Sequence, residues 1–116
     1  MGAWGYRAWD NDTAADWFRA TLGPADLDAR VDEAFERGRP DEIRAACHLL
    51  AQLGRIYVWP GDPSALKERV KRGVELLRAL RASEPECAAW SDPEAFQMAL
   101  DRETAALEAR VDLKAD

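Results

Sequence analysis

The chain has 116 residues, with 16 Lys and Arg against 22 Asp and Glu and a net charge of −6. That is the length of one domain with one core, and 47% apolar with 33% charged residues excludes disorder. The negative balance excludes a whole-protein nucleic-acid or anionic-membrane binder, because both ligands require a positive field. Ala (22) and Leu (12) dominate the apolar content, whereas Val, Ile and Thr together number ten. Such a mixture forms helices readily and sheets poorly.

Residues 1–12 show no basic start followed by an apolar run, so no secretory signal is read there. Tyr6 stands where a myristoylation signal carries Ser or Thr. No stretch approaches the roughly eighteen apolar residues of a membrane span; residues 49–59 are broken by Gln52, Gly54 and Arg55. A cytoplasmic location is the expectation. Cys47 and Cys87, forty positions apart, read as small buried thiols rather than a disulfide.

The first helix is expected from about Asp12 to Leu22, ending at Gly23-Pro24, with Asn11 or Asp12 as cap. Ala14, Trp17, Phe18 and Thr21 or Leu22 recur at helical spacing, which predicts a buried aromatic face. The second spans Pro24 to Arg37, with Leu27, Val31, Ala34 and Phe35 inward, Asp28, Asp32 and Glu36 outward, and Gly38 closing it. The third opens at Pro40-Asp41-Glu42 and is expected to reach Trp59. Its stripe of Ile43, Ala46, Cys47, Leu50, Leu53 and Tyr57, widened by Leu49 and Ile56, marks it as the central helix.

Pro60-Gly61-Asp62-Pro63 is the strongest turn in the chain. A fourth helix follows, capped by Asp62 or Ser64 and running to Ala82, with Leu66, Val70, Val74, Leu77 and Leu80 or Arg81 along one face. Glu86 to Trp90 reads as a short turn or helix. Ser91-Asp92-Pro93-Glu94 starts a fifth helix that buries Phe96, Leu100, Thr104, Leu107 and Val111. No period of 30 to 45 residues marks a repeat array. The expectation is a single all-α domain over residues 1–116: a compact bundle of about five helices in helical hairpins.

Charge is uneven: residues 1–66 carry −4, residues 67–83 carry +4 and residues 84–116 carry −6. The fourth helix is therefore a basic rib, with Lys67, Lys71, Arg78 and the nearby Arg72 and Arg81 on its outer side. One reading is a solvated face with internal pairs such as Glu68–Arg72 and Glu75–Arg78. The other is a docking patch for an acidic partner, a second copy included. No aromatics interleave with these cations, which argues against nucleic acid.

Asp10, Asn11, Asp12 and Asp16 offer oxygens at alternating positions, but a calcium loop would need Gly at Ala15 and Glu at Thr21. Helix capping accounts for these acids, and no metal or other cofactor is expected. His48 follows Cys47 directly, and helical neighbours point about 100° apart, so the two form no nucleophile–base pair. His48 reads as a partly buried structural side chain. The sequence does not exclude a spatial pairing of His48 with Cys87. No phosphate loop, dinucleotide fingerprint, nucleophile elbow or zinc spacing occurs.

The unusual segment is the amino terminus, where Trp4, Tyr6 and Trp9 stand among Gly2 and Gly5. Such dense aromatics are expected to fold back as an irregular segment packed on the bundle; exposed, they would form a partner-binding patch. Gly2-Ala3-Trp4-Gly5 and Asp10-Asn11-Asp12-Thr13-Ala14-Ala15-Asp16-Trp17 resemble the opening of a bacterial family, domain of unknown function 4259. Its members open with Gly-Ala/Thr-Trp-Gly, then an aromatic, then Asn-Asp-x-Ala-x-Asp-Trp or Phe. The likeness continues more weakly through residues 45–51. It implies a small bacterial helical domain with Trp4, Asn11, Asp12, Asp16 and Trp17 as a family-defining cluster, and it brings no catalytic residue.

These features point to a non-enzymatic protein-interaction module, of immunity or antitoxin type, whose partner is another protein or itself. The candidate interaction residues are Trp4, Trp9, Asp12, Asp16, Trp17, Lys67, Lys71 and Arg78. The alternatives are a homo-oligomeric structural domain, or a small-ligand-binding protein or enzyme with a pocket lined by Trp4, Trp9, Trp17 or His48.

Overall fold

The computed structural model describes residues 16–17, 20–54, 59–60 and 62–111. The architecture is all-α, with no strand among the described residues. Residues 16–17 and 20–22 are helical and lead into a 3-10 turn, Gly23–Ala25. Five helices follow: α1 (Leu27–Arg37), α2 (Pro40–Leu53), α3 (Pro63–Ala82), the short α4 (Glu84–Ala88) and α5 (Pro93–Val111). The expected packing of residues 1–15 on the bundle lies outside the described residues, as do Phe18, Tyr57 and the side chain of Val111.

The predicted second helix starts three residues late. Asp26, left-handed at φ 49°, separates the 3-10 turn from α1 and accepts from the Ala29 N–H at 3.4 Å. Gly38, also left-handed, closes α1 as read from the sequence. The third helix stops at Leu53 and does not reach Trp59. Gly54 leaves the helical path there, its N–H still bonded to the Leu50 carbonyl at 2.7 Å. A Cβ at that position would collide with the same carbonyl, so the stop depends on glycine. The short element is α4, Glu84–Ala88, capped by Ser83. Asp92 caps α5, its carboxylate accepting from the Ala95 N–H at 3.0 Å.

The helix packed against every other is α3, not α2. It buries Leu66, Val70, Gly73, Val74, Leu77 and Leu80, against four buried positions on α2. Composition along α2 suggested the centre, yet a 20-residue helix offers neighbours more length. The small side of α3 settles the matter. An added Cβ on Gly73 would meet Leu107 Cδ2 at 2.8 Å, Cys47 Sγ at 3.0 Å and Phe35 Cζ at 3.4 Å. Three helices thus converge on one missing side chain.

The core runs through Val31 and Phe35, Ile43, Cys47 and Leu50, the α3 stripe, Cys87, and Phe96, Leu100 and Leu107. Each position except Cys87 was expected inward from its spacing. Thr104 is half-buried, with its hydroxyl donating to the Leu100 carbonyl at 2.7 Å. Trp59, one of the most buried side chains, reaches the core from the loop instead of from a helix. No helix among the described residues is long and apolar enough to cross a membrane.

Candidate functional site

Two charged clusters organise the surface above this core. The first surrounds Asp28, which the helical pattern placed outward. Its carboxylate accepts from Trp59 Nε1 at 2.7 Å and from the Asp62 N–H at 2.6 Å, and lies 3.2 Å from Arg69 Nη1. Arg69 also donates from Nε and Nη2 to Asp32, both at 2.9 Å. Hydrogen bonding to Asp32 raises the Arg69 pKa above its ordinary value against the opposing effect of burial. Asp28 and Asp32 therefore face α3 and the loop, because a bidentate guanidinium compensates them there. This cluster fastens α1, the loop and α3 together and is structural.

The second cluster lies where α2 meets the α4–α5 turn. Arg44 Nε and Nη2 donate to Glu103 at 2.9 and 2.6 Å, and this hydrogen-bonded pairing raises the Arg44 pKa. The same guanidinium lies 5.2 Å from the ring centre of Phe96 and 5.8 Å from that of Trp90. Trp90 stacks on Phe96 with centroids 4.6 Å apart and planes 13° from parallel. Phe96 is buried, whereas Trp90 keeps 46% of its surface exposed. An outward tryptophan is thus held in one orientation by a ring beneath it and a fixed cation beside it.

The segment carrying Trp90 is acidic. Residues 84–94 hold Glu84, Glu86, Asp92 and Glu94 and no Lys or Arg, and all four acids are exposed. Sequence reading overlooked Trp90 because it treated residues 86–90 as a connection. The available signal was an aromatic set among acids in a turn, where no helical stripe could bury it.

Of the residues proposed from the sequence, Trp4, Trp9 and Asp12 lie outside the described residues. Asp16 and Trp17 are helical and exposed, Trp17 at 60%, which corrects the expected burial of Trp17. Thr21, one turn on from Trp17, is exposed too, while Leu22 is half-buried; Ala14 and Phe18 lie outside the described residues.

The basic rib is largely compensated within the chain. Arg78 pairs with Glu108 at 2.6 Å and Arg81 with Asp101 at 2.7 Å, both across to α5. Lys71 pairs with Glu68 at 3.8 Å. Glu68 pairs with Lys71 in place of Arg72, and Arg78 pairs with Glu108 in place of Glu75, because that α5 acid approaches its guanidinium directly. Lys67 and Arg72 are exposed.

His48 is exposed, not partly buried as expected. It borders a groove between α2 and α5, while Cys47 points inward and sets its Sγ 3.7 Å from the Gly73 carbonyl. Burial pushes the Cys47 thiol up to about 12, which removes it as a nucleophile. Cys87 is also a free, buried thiol, against the Leu80 and Arg81 carbonyls and Gln97 Nε2. Among the described residues no group of three or more His, Cys, Asp or Glu is placed to hold a metal ion.

No protein-family model matches the chain, and neither a curated protein nor a solved structure does.

Proposed function

We propose that this chain is a non-enzymatic protein-interaction module, of immunity or antitoxin type, that engages a basic partner protein through Trp90. The observation that supports this reading is a half-exposed tryptophan fixed in place by Phe96 and Arg44. Interface energy concentrates in such aromatic anchors, and an anchor already held in its bound orientation loses less entropy on docking. The four acids of residues 84–94, a segment without Lys or Arg, attract a cationic surface and speed encounter. Membership of the bacterial family that the opening residues resemble belongs to the same proposal, and it adds no activity. Docking through the fourth-helix rib has less support, because Lys71, Arg78 and Arg81 already pair within the chain.

Affinity capture from the native host at low salt, with wild-type and Trp90→Ala chains side by side, tests the reading. The expected result is a stoichiometric basic protein held by the wild type, lost with Trp90→Ala and released by added salt. Recovery of nothing but the chain itself across several growth states would overturn it. So would a partner retained in full by Trp90→Ala.

A further inference from the structure

A groove of about 280 Å³ lies between α2 and α5. His48 and Gln52, one turn apart, line it from α2, and Arg102 and Glu103 line it from α5. Between these polar groups the walls are alanine, whose side chains end at Cβ and leave the space open.

The charges in this groove do not cancel. Glu103 is the one acid on it, and Arg44 already holds that carboxylate through hydrogen bonds of 2.9 and 2.6 Å. Burial keeps the neighbouring Cys47 thiol protonated, so it adds no charge. Arg69, Arg78 and Arg81 each have an acid within the chain. Arg102 is exposed and has neither an ion pair nor a hydrogen bond among the described residues. His48 and Gln52 are exposed and unpartnered in the same way. The groove thus keeps one uncompensated cation, with two further donors on the facing helix, on a chain of net charge −6.

We infer that this groove binds a small organic carboxylate, with its anionic end on Arg102, His48 and Gln52 and its apolar body on Ala51, Ala99 and Ala106. A guanidinium takes a carboxylate through two parallel N–H groups, and an imidazole and an amide supply further donors. One free cation balances one negative charge, whereas a phosphate dianion would set its second charge beside Glu103. The alanine methyls offer apolar contact that a bare inorganic anion cannot use.

Size limits the ligand and its affinity. The volume is that of roughly nine water molecules, which suits a molecule of about ten non-hydrogen atoms. So few atoms give an expected dissociation constant on the order of 1 mM. Trp90 lines no part of the groove, so this site does not depend on the protein partner proposed above.

Titration of the nitrogen-15-labelled wild-type chain with benzoate, at fixed ionic strength, tests the inference. The expected result is saturable movement of amide resonances clustered at His48, Gln52, Ala99 and Arg102. Benzamide, with the same shape and no charge, and inorganic phosphate should each bind roughly tenfold more weakly or worse. Arg102→Gln should weaken benzoate by roughly tenfold, and Arg72→Gln on the exposed side of α3 should leave it unchanged. Both arginines are exposed and unpaired, so neither variant loses a contact of the fold. Absence of saturable shifts in the groove up to roughly 50 mM benzoate overturns the proposal. Binding by Arg102→Gln equal to that of wild type does the same. Benzamide or phosphate binding as tightly as benzoate overturns the assignment of a carboxylate.

Discussion

Trp59 Nε1 donates to Asp28 Oδ1 at 2.7 Å, tying the loop before α3 to the first turn of α1. The same carboxylate receives the Asp62 N–H, and Arg69 approaches it from α3. Asp28→Ala leaves the Trp59 indole and the Asp62 N–H without their acceptor and Arg69 with Asp32 as its one remaining counter-charge. Its expected cost is about 2–4 kcal/mol, read from urea unfolding. Asp28→Asn retains an acceptor for Trp59 and should cost less. A loss below ~1 kcal/mol for the alanine variant would show that the cluster does not anchor the loop.

Gly73→Ala should also destabilise, although alanine is the better helix former by ~1 kcal/mol. A Cβ there would force the fully buried Leu107 Cδ2 at 2.8 Å to shift, with Cys47 Sγ at 3.0 Å and Phe35 Cζ at 3.4 Å also in contact. Overpacking of this kind costs roughly 1–3 kcal/mol, so the net effect is a loss. A Gly73→Ala, Leu107→Ala cycle should show a coupling of favourable sign, since the second change vacates the space. Additive effects would refute the contact.

Stability should decline at alkaline pH because of Cys47. Its folded thiol ionises at about 12, whereas the ordinary value is 9.0. Above pH 9 the unfolded chain releases a proton that the folded chain keeps, so unfolding gains with pH up to about 12. Urea midpoints between pH 8 and pH 11 should fall, and the slope should flatten in Cys47→Ala. Below pH 8 neither native thiol should react with iodoacetamide until the chain is unfolded.

Asp62 contributes with the opposite sign. The Ser64 hydroxyl at 2.6 Å and the Ser64 N–H at 2.9 Å hold its carboxyl below the ordinary 3.8. That contribution to the start of α3 is complete above pH 3.8 and is lost as pH falls through the lowered folded value. The stability gap between wild type and Asp62→Asn should therefore persist from pH 7 to about pH 5 and close in acid. A gap unchanged at the acid end would remove the carboxylate from the cap.

Much of the fold is legible in the residues themselves. The α3 stripe from Leu66 to Leu80 and the α5 positions Phe96, Leu100 and Leu107 bury as their spacing requires. Proline and acidic residues mark the starts of α2 and α5, and Gly38 marks an end, since caps and turns act on neighbours in sequence. The candidate site was far less legible. Trp90 stands in a turn with no periodicity, and its orientation comes from Arg44, 46 positions earlier, and Phe96.

The opening balance of charge shows the same division. Sequence alone determined that a +4 segment lies between segments of −4 and −6. It equally determined a helical chain with one core, because helical periodicity and capping are local. Only the tertiary structure decided that Arg69, Arg78 and Arg81 of α3 answer Asp28, Asp32, Glu108 and Asp101 on α1 and α5. It alone set Trp90 outward, stacked on Phe96 beside Arg44. Ion pairs and exposed faces are set by which helices become neighbours, and that depends on packing around Gly73 rather than on any one segment's composition.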